Sequence, residues 1–287
     1  MVLFYIFDMT KSFKTQKYEH IVESVKSFVI NGRPTLSNYY GIPQGFLYQS
    51  LSTDCSLIIK QHNSFGFARL YFLTRDVYDL ADTLNSMADM TYLFNIPVKN
   101  DLGVWGPLLD KIKYYQYGKY HRYSNNNIRA ADEFLHSIAN EDRQIELEGY
   151  KLCERATMSN FAEVQALLLD TFDIYTDYLP SDNQLKCMID GNRVYINLTP
   201  EGNVCGVAVF ENIGIKCYQN FWIDKRELGL YLMRKMYDQM VENNISFTNL
   251  WVADWNKSVI KLHKMLGALP DGMIDYTFKS ISNMSKK

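Results

Sequence analysis

Apolar side chains recur at helical spacing in residues 19–31, where Ile21, Val22, Val25, Phe28 and Val29 share one face, and Asn31-Gly32-Arg33-Pro34 follows. The pattern predicts an amphipathic helix with a stop at that run. It then turns strand-like over 55–61 and 66–73, with the hairpin-like His62-Asn-Ser-Phe between them. A helix over about 76–87, a strand over 90–98, a helix over 105–115 and a short strand over 119–123 complete the first half. Strand and helix alternating in this way predict an α/β arrangement.

Ser124-Asn-Asn-Asn-Ile-Arg129 is the most polar stretch of the chain. It reads as a linker, which divides the protein into domains 1–128 and 129–287. The second half reads as a helix over 130–140, a strand over 150–155, a helix capped at 156–160 and running to about 172, and a helix over 181–189. Strands over 193–198, 204–212 and 215–223 follow. A long helix comes next, with Leu228, Leu232, Met236, Met240 and Val241 as its apolar stripe. The β-branched and aromatic run 246–254 predicts a further strand. Beyond it, Asn256 or Ser258 can cap a helix that turns Val259, Ile260, Leu262, Met265 and Leu266 to one side and ends at Gly267.

Composition narrows the class. The chain has 287 residues and 47% hydrophobic content, enough for one large or two ordinary domains. Thirty basic against 32 acidic side chains give a net charge of −2, which offers no electrostatic case for nucleic acid. Five cysteines without a Cys-x-x-Cys pair suggest neither a disulfide framework nor a zinc ribbon. No run approaches the roughly 20 apolar residues of a membrane span, and Val2–Phe7 is too short for a signal-peptide core, so a cytoplasmic protein is expected.

Asn256, Ser258, His263, Leu266, Gly267 and Ala268 carry a resemblance. Their order and spacing resemble the second motif of the GNAT superfamily of acyl-CoA-dependent N-acyltransferases, which runs Asn, Ser or Ala, Tyr or His, then Leu-Gly-(Phe/Ala). Glu154-Arg-Ala-Thr157 resembles the family's first strand, and the likeness spans about 148–280. It implies the GNAT α/β fold for the C-terminal domain, acetyl-CoA or another short acyl-CoA as cofactor, and an amine acceptor. The order of elements in the first half implies a degenerate GNAT-like copy, with an unrelated α+β domain as the alternative and no acyl-CoA expected there.

The resemblance also assigns residues. Trp222 and Ile223 stand at the end of the strand that precedes the cofactor loop. Lys225, Arg226, Leu228, Gly229 and Leu230 stand in the loop and helix start whose backbone N–H groups cradle the diphosphate. Asn256 and Ser258 are implied to contact the cofactor. The loop is shorter than the family's and aligns in two ways, and Asp224 with Glu227 has capping-box spacing, in which a carboxylate takes the phosphate's donors. His263 takes the place of the acid that meets the thiolate. Base candidates are Glu211, at a strand end, Asp254, at the end of the strand entering the motif, and Tyr218. Asp173, Asp177 and Asp182, between the first two helices, would suit a cationic acceptor.

No metal is required by this chemistry. The partner expected is a small-molecule or peptide amine, with no nucleic acid and no membrane, and a homodimer is left open. Two other readings stand beside acetyl transfer: a GNAT-fold binding or assembly module without catalysis, and an aminoacyl transferase of the Fem type, which would be expected to carry a basic face for tRNA.

Overall fold

The computed structural model describes residues 14–39, 47–62, 65–87, 90–139, 149–224 and 228–281, with the backbone alone over 14–16 and 218–224. By contact the chain forms two compact units, Met1–Lys119 with Ile274–Lys287, and Tyr120–Met273. The sequence placed its divide at 128/129.

The first unit contains β1 (Lys14–Gln16), α1 (Tyr18–Ile30), β2 (Leu36–Ser37), β3 (Leu47–Leu51), β4 (Cys55–His62), β5 (Phe67–Thr74), α2 (Val77–Ser86) and β6 (Thr91–Lys99). A 3₁₀ turn Gly103–Trp105, the single turn α3 (Gly106–Leu109) and β7 (Tyr114–Asn125) follow. The strand order is β1-β3-β4-β5-β6-β13, where β13 is Leu269–Ser280 and its second half belongs to this unit. On one face α2 sets Leu80 and Leu84 against Leu57, Ile59, Leu70, Phe72 and Phe94. On the other, Ile21, Val25 and Phe28 of α1 cover Leu47, Ile58 and Leu73, as the spacing of that helix predicts.

Two expectations change here. The helix expected over 105–115 is one turn, because Tyr114, Tyr115, Tyr117 and Tyr120 favour a strand, and β7 begins at Tyr114. β7 then runs through Asn125, into the stretch expected to be a linker. Asn125 is buried, and its Nδ2 donates to Leu266 O at 2.8 Å. Polarity marked a hydrogen-bonded position there rather than a solvated one.

The second unit takes in the end of β7, then α4 (Ile128–Ile138), β8 (Lys151–Arg155), α5 (Phe161–Thr171), α6 (Asp182–Asp190), β9 (Val194–Leu198), β10 (Val204–Ile213), β11 (Lys216–Asp224), α7 (Gly229–Glu242), β12 (Phe247–Ala253) and α8 (Lys257–Met265). Its strand order is β7-β12-β11-β10-β9-β8. α7 buries more than the stripe read from the sequence: Tyr231 is buried, and Leu232, Met233, Met236, Tyr237 and Met240 are packed both by the sheet and by Ile128, Ala131 and Leu135 of α4. On α8, Val259 and Ile260 pack on Leu250, Val252 and Tyr123. Gly267, after its last turn, has φ +86°, the left-handed value expected of it.

Candidate functional site

The site is built where two parallel strands separate. β11 is nine residues long and β12 seven, yet they pair only at Lys216↔Phe247, Cys217↔Thr248 and Tyr218↔Asn249. β11 keeps its other neighbour to the end, since β10 pairs it from Ile213↔Lys216 to Gly206↔Asp224. Within that ladder the register steps from Phe210↔Gln219 to Val209↔Phe221, which makes Asn220 the extra residue of a bulge. An inserted residue bends its strand and increases the local twist. It lies two residues past the last β11–β12 pair, where β11 no longer pairs with β12.

The sequence candidates distribute around this parting. Tyr218 is the last paired residue of β11 and sits opposite both Asn249 and Glu211. Glu211 is held by Arg193, whose Nη1 donates to its Oε1 at 2.9 Å. Asp254 follows the last residue of β12 and is half-buried. Trp222 and Ile223 lie in the reach of β11 that pairs with β10 and not with β12. Lys225 and Arg226, with Glu227 of the suspected capping box, fall outside the described residues.

Leu228 occupies the N-cap position of α7 and is buried, as is Gly229, while Leu230 is half-buried. Of the two cap candidates on α8 it is Asn256 that serves, its Oδ1 accepting from Val259 N at 3.2 Å. Ser258 is exposed on the first turn.

His263 is 3% exposed, and its Nδ1 is buried without a partner. Burial lowers the imidazole to about 4. At pH 7 it is neutral.

The loop between α5 and α6 is held by its own carboxylates. Asp173 Oδ1 accepts from Tyr175 N at 2.8 Å and Thr176 N at 3.1 Å, and Asp177 Oδ2 accepts from Asp173 N at 2.8 Å. Tyr120 OH donates to Asp177 Oδ1 at 3.0 Å and lies 2.8 Å from Thr176 Oγ1. Burial, with the Asp177 carboxylate beside it, raises the Tyr120 phenol above its usual range. Asp182 Oδ1 accepts from Gln165 Nε2. The three acids expected to receive a cation are therefore engaged in shaping the loop. Tyr120 was not foreseen as the residue that ties the loop to the strand beside Ala253.

On the sheet face bearing Asn249, Ser124 Oγ donates to Asn249 Oδ1 at 2.9 Å, and Arg122 Nε donates to Asp271 Oδ2 at 2.6 Å. Trp251 on this face is 42% exposed, with the Arg122 guanidinium 5.7 Å from its ring. One group among the described residues has metal-ligand character: Asp132 and His136 on α4 and Asp238 on α7, with ligand atoms within 4.8 Å of one another. His136 Nε2 lies 2.7 Å from Asp238 Oδ1 and 3.8 Å from Asp132 Oδ1, so the imidazole ties the two helices.

No family model matches the sequence, and no curated protein matches it. Solved structures do. A tandem GNAT protein from the clavulanic acid biosynthesis pathway is similar over 94% of this chain and 98% of its own, at 12% identity and a TM-score of 0.56. A GCN5-related N-acetyltransferase from Sphaerobacter thermophilus is similar over 85% of both chains, at 9% identity and a TM-score of 0.54. A GNAT-family acetyltransferase from Colwellia psychrerythraea covers 93% of this chain and 99% of its own, at 9% identity and a TM-score of 0.50. The shared property at these identities is the fold: the chain is a mixed α/β protein with the GNAT fold, and its likeness extends along nearly its whole length to a protein built as a tandem.

Proposed function

We propose that the second unit is an acyl-CoA-dependent N-acyltransferase that moves an acetyl group to a primary amine by direct attack in a ternary complex. The observation that carries this reading is the parting of β11 from β12 after Tyr218 and Asn249, in a fold shared with acetyltransferases. An extended thioester arm can lie against strand main chain only where an edge is unpaired, and the edge of β11 toward β12 beyond Tyr218 is such an edge.

Bound acyl-CoA supplies an activated thioester. The main chain of β11 beyond Tyr218 offers N–H groups to the carbonyl oxygen, which is where stabilisation of developing charge has its largest effect. Asn256 Nδ2 and the start of α8 face the cofactor arm, and Leu228, Gly229 and Leu230 set the start of α7, whose dipole favours anions. His263 would hydrogen-bond the departing sulfur with its neutral N–H, keeping its own proton while it stabilises the thiolate. The proton of the attacking amine would go to Asp254, which follows the end of β12 and has the Lys257 ammonium on its main-chain carbonyl, and from there to solvent.

The test is release of CoA thiol from acetyl-CoA in the presence of a panel of primary amines and amino-terminal peptides. Amine-dependent thiol release supports the reading. A native protein that shows no thermal shift with acetyl-CoA, propionyl-CoA or succinyl-CoA would replace it with the non-catalytic module, since ligand at 100 times its Kd stabilises by about 2.7 kcal/mol.

A further inference from the structure

Asn197 interrupts the apolar strand Val194-Tyr-Ile-Asn-Leu198 and is 0% exposed. A buried amide in a strand needs partners, and two of those of Asn197 lie on elements remote in sequence. Its Oδ1 accepts from Cys153 N at 2.9 Å, and its Nδ2 donates to Leu228 O at 3.2 Å. Cys153 has φ +58°, in the left-handed region, at the point where the β8–β9 register shifts between Lys151 and Glu154. Leu228 is the N-cap residue of α7, and its carbonyl also accepts from Tyr231 N at 3.0 Å. One side chain thus fixes a bulge in β8 and the turn from which α7 starts.

We propose that Asn197 is a positioning residue for the diphosphate of acyl-CoA, acting through Leu228. The inference rests on the acyltransferase reading. Helix-start donors and the helix dipole act on an anion only over the first turn, so the direction in which that turn points decides how well a diphosphate is held. Leu228 stands at that turn, and the Asn197 amide grips its carbonyl from the sheet side. The thioester end of the ligand lies along β11, which Asn197 does not touch in any of these bonds.

The experiment compares two donors, acetyl-CoA and S-acetylpantetheine, which keeps the thioester arm and lacks the diphosphate. Asn197→Asp retains an acceptor for Cys153 N and removes the amide donor to Leu228 O. It is expected to raise KM for acetyl-CoA about tenfold, the equivalent of one hydrogen bond, with little change in kcat and none in kcat/KM for S-acetylpantetheine. Asn197→Leu, similar in volume and without either bond, serves if the aspartate variant does not fold, and the same split is expected of it. Equal losses with both donors would make Asn197 a residue of the fold alone and overturn the proposal, as would wild-type KM values for both. A wild-type protein that turns over S-acetylpantetheine no less efficiently than acetyl-CoA would overturn the diphosphate role while leaving acyl transfer standing. A wild-type protein that uses neither donor removes the acyltransferase reading and this proposal with it.

Discussion

The two units contain the same parting of strands, and one of the partings is closed. In the first unit β5 pairs with β6 in parallel only at Phe67↔Thr91, Ala68↔Tyr92 and Arg69↔Leu93, three pairs from strands of eight and nine residues. β11 and β12 likewise pair three times and separate. Beyond Arg69, however, the edge of β5 is taken by the chain itself. β2 pairs with it at Leu36↔Thr74 and Ser37↔Leu73, Thr35 N donates to Thr74 O at 2.7 Å, and Asn38 N donates to Phe72 O at 3.2 Å. The Asn38 side chain completes the row, with Oδ1 accepting from Phe72 N at 2.7 Å and Nδ2 donating to Leu70 O at 3.0 Å. Among the described residues no strand takes the matching edge of β11.

The surroundings differ in the same sense. Helix α2 is capped by Asp76, which accepts from Tyr78 N and Asp79 N, so a carboxylate occupies the donors a phosphate would need. Leu228, at the same place on α7, brings no side-chain acceptor. The helix after β6 is a single turn, and Trp105 before it lies edge-on to Phe72 with centroids 6.0 Å apart, whereas α8 has nine residues and carries His263. Past the parting of β5 and β6 stands a buried polar group, Arg69 Nη1 to Asn95 Oδ1 at 2.9 Å and Asn95 Nδ2 to Asp275 Oδ2 at 2.8 Å. The equivalent stretch of β12 shows Trp251 to solvent. The same parting is thus treated in two ways, one edge covered by the chain's own main chain and the other left unpaired by any strand among the described residues.

Four substitutions press on this contrast. Asn38→Ala leaves Phe72 N and Leu70 O buried without the side chain that satisfies them, and is expected to cost about 2–4 kcal/mol in urea unfolding while acetyl-CoA affinity stays unchanged. A fall in affinity would mean that the two slots are not independent. His263→Phe removes the imidazole that the proposal sets against the departing sulfur and is expected to lower kcat about 10²-fold, with no ionisation of this residue visible in the pH–rate profile between about pH 5 and 8. A limb near neutrality that disappears in the variant would show an imidazolium at work instead.

Asp275→Asn reads the buried polar group of the first unit. Burial raises this carboxyl from 3.8 to about 6, so the folded protein binds its proton more tightly than the unfolded chain does. Its stabilising contribution is complete below the unfolded value and is lost as pH rises through about 6. The asparagine variant should therefore gain on the wild type by about 2 kcal/mol between pH 4 and pH 8 in denaturant melts, and a difference independent of pH would refute the assignment. The smallest effect is expected at Glu211→Gln, under about 0.5 kcal/mol in stability and less than about threefold in kcat, because Arg193 already holds that carboxylate at a half-exposed position. A loss of about 10² would return the role of base to Glu211.

Periodicity made the helices and the inner strands legible, and motif spacing made the turn at Asn256 and the stop at Gly267 legible. Neither could show a strand of two residues such as Leu36–Ser37, whose whole content is the edge it meets. β13 left a readable signal, since Ile274, Tyr276 and Phe278 alternate, and the helix-based reading passed over it. The buried amides were visible as single polar residues, Asn197 within an apolar strand and Asn125 within a polar run, but what each one grips lies far away in sequence. In the acidic loop 173–182 composition showed the charges, while the local hydrogen bonds that Asp173 and Asp177 accept could not be read from it.

Amide hydrogen exchange with and without acetyl-CoA tests the contrast most directly. Slower exchange over 219–224 and 250–253 on addition of acetyl-CoA, with 36–38 and 70–74 unchanged, is the predicted result. Protection appearing at 70–74, or none at 219–224 at saturating acetyl-CoA, would contradict it.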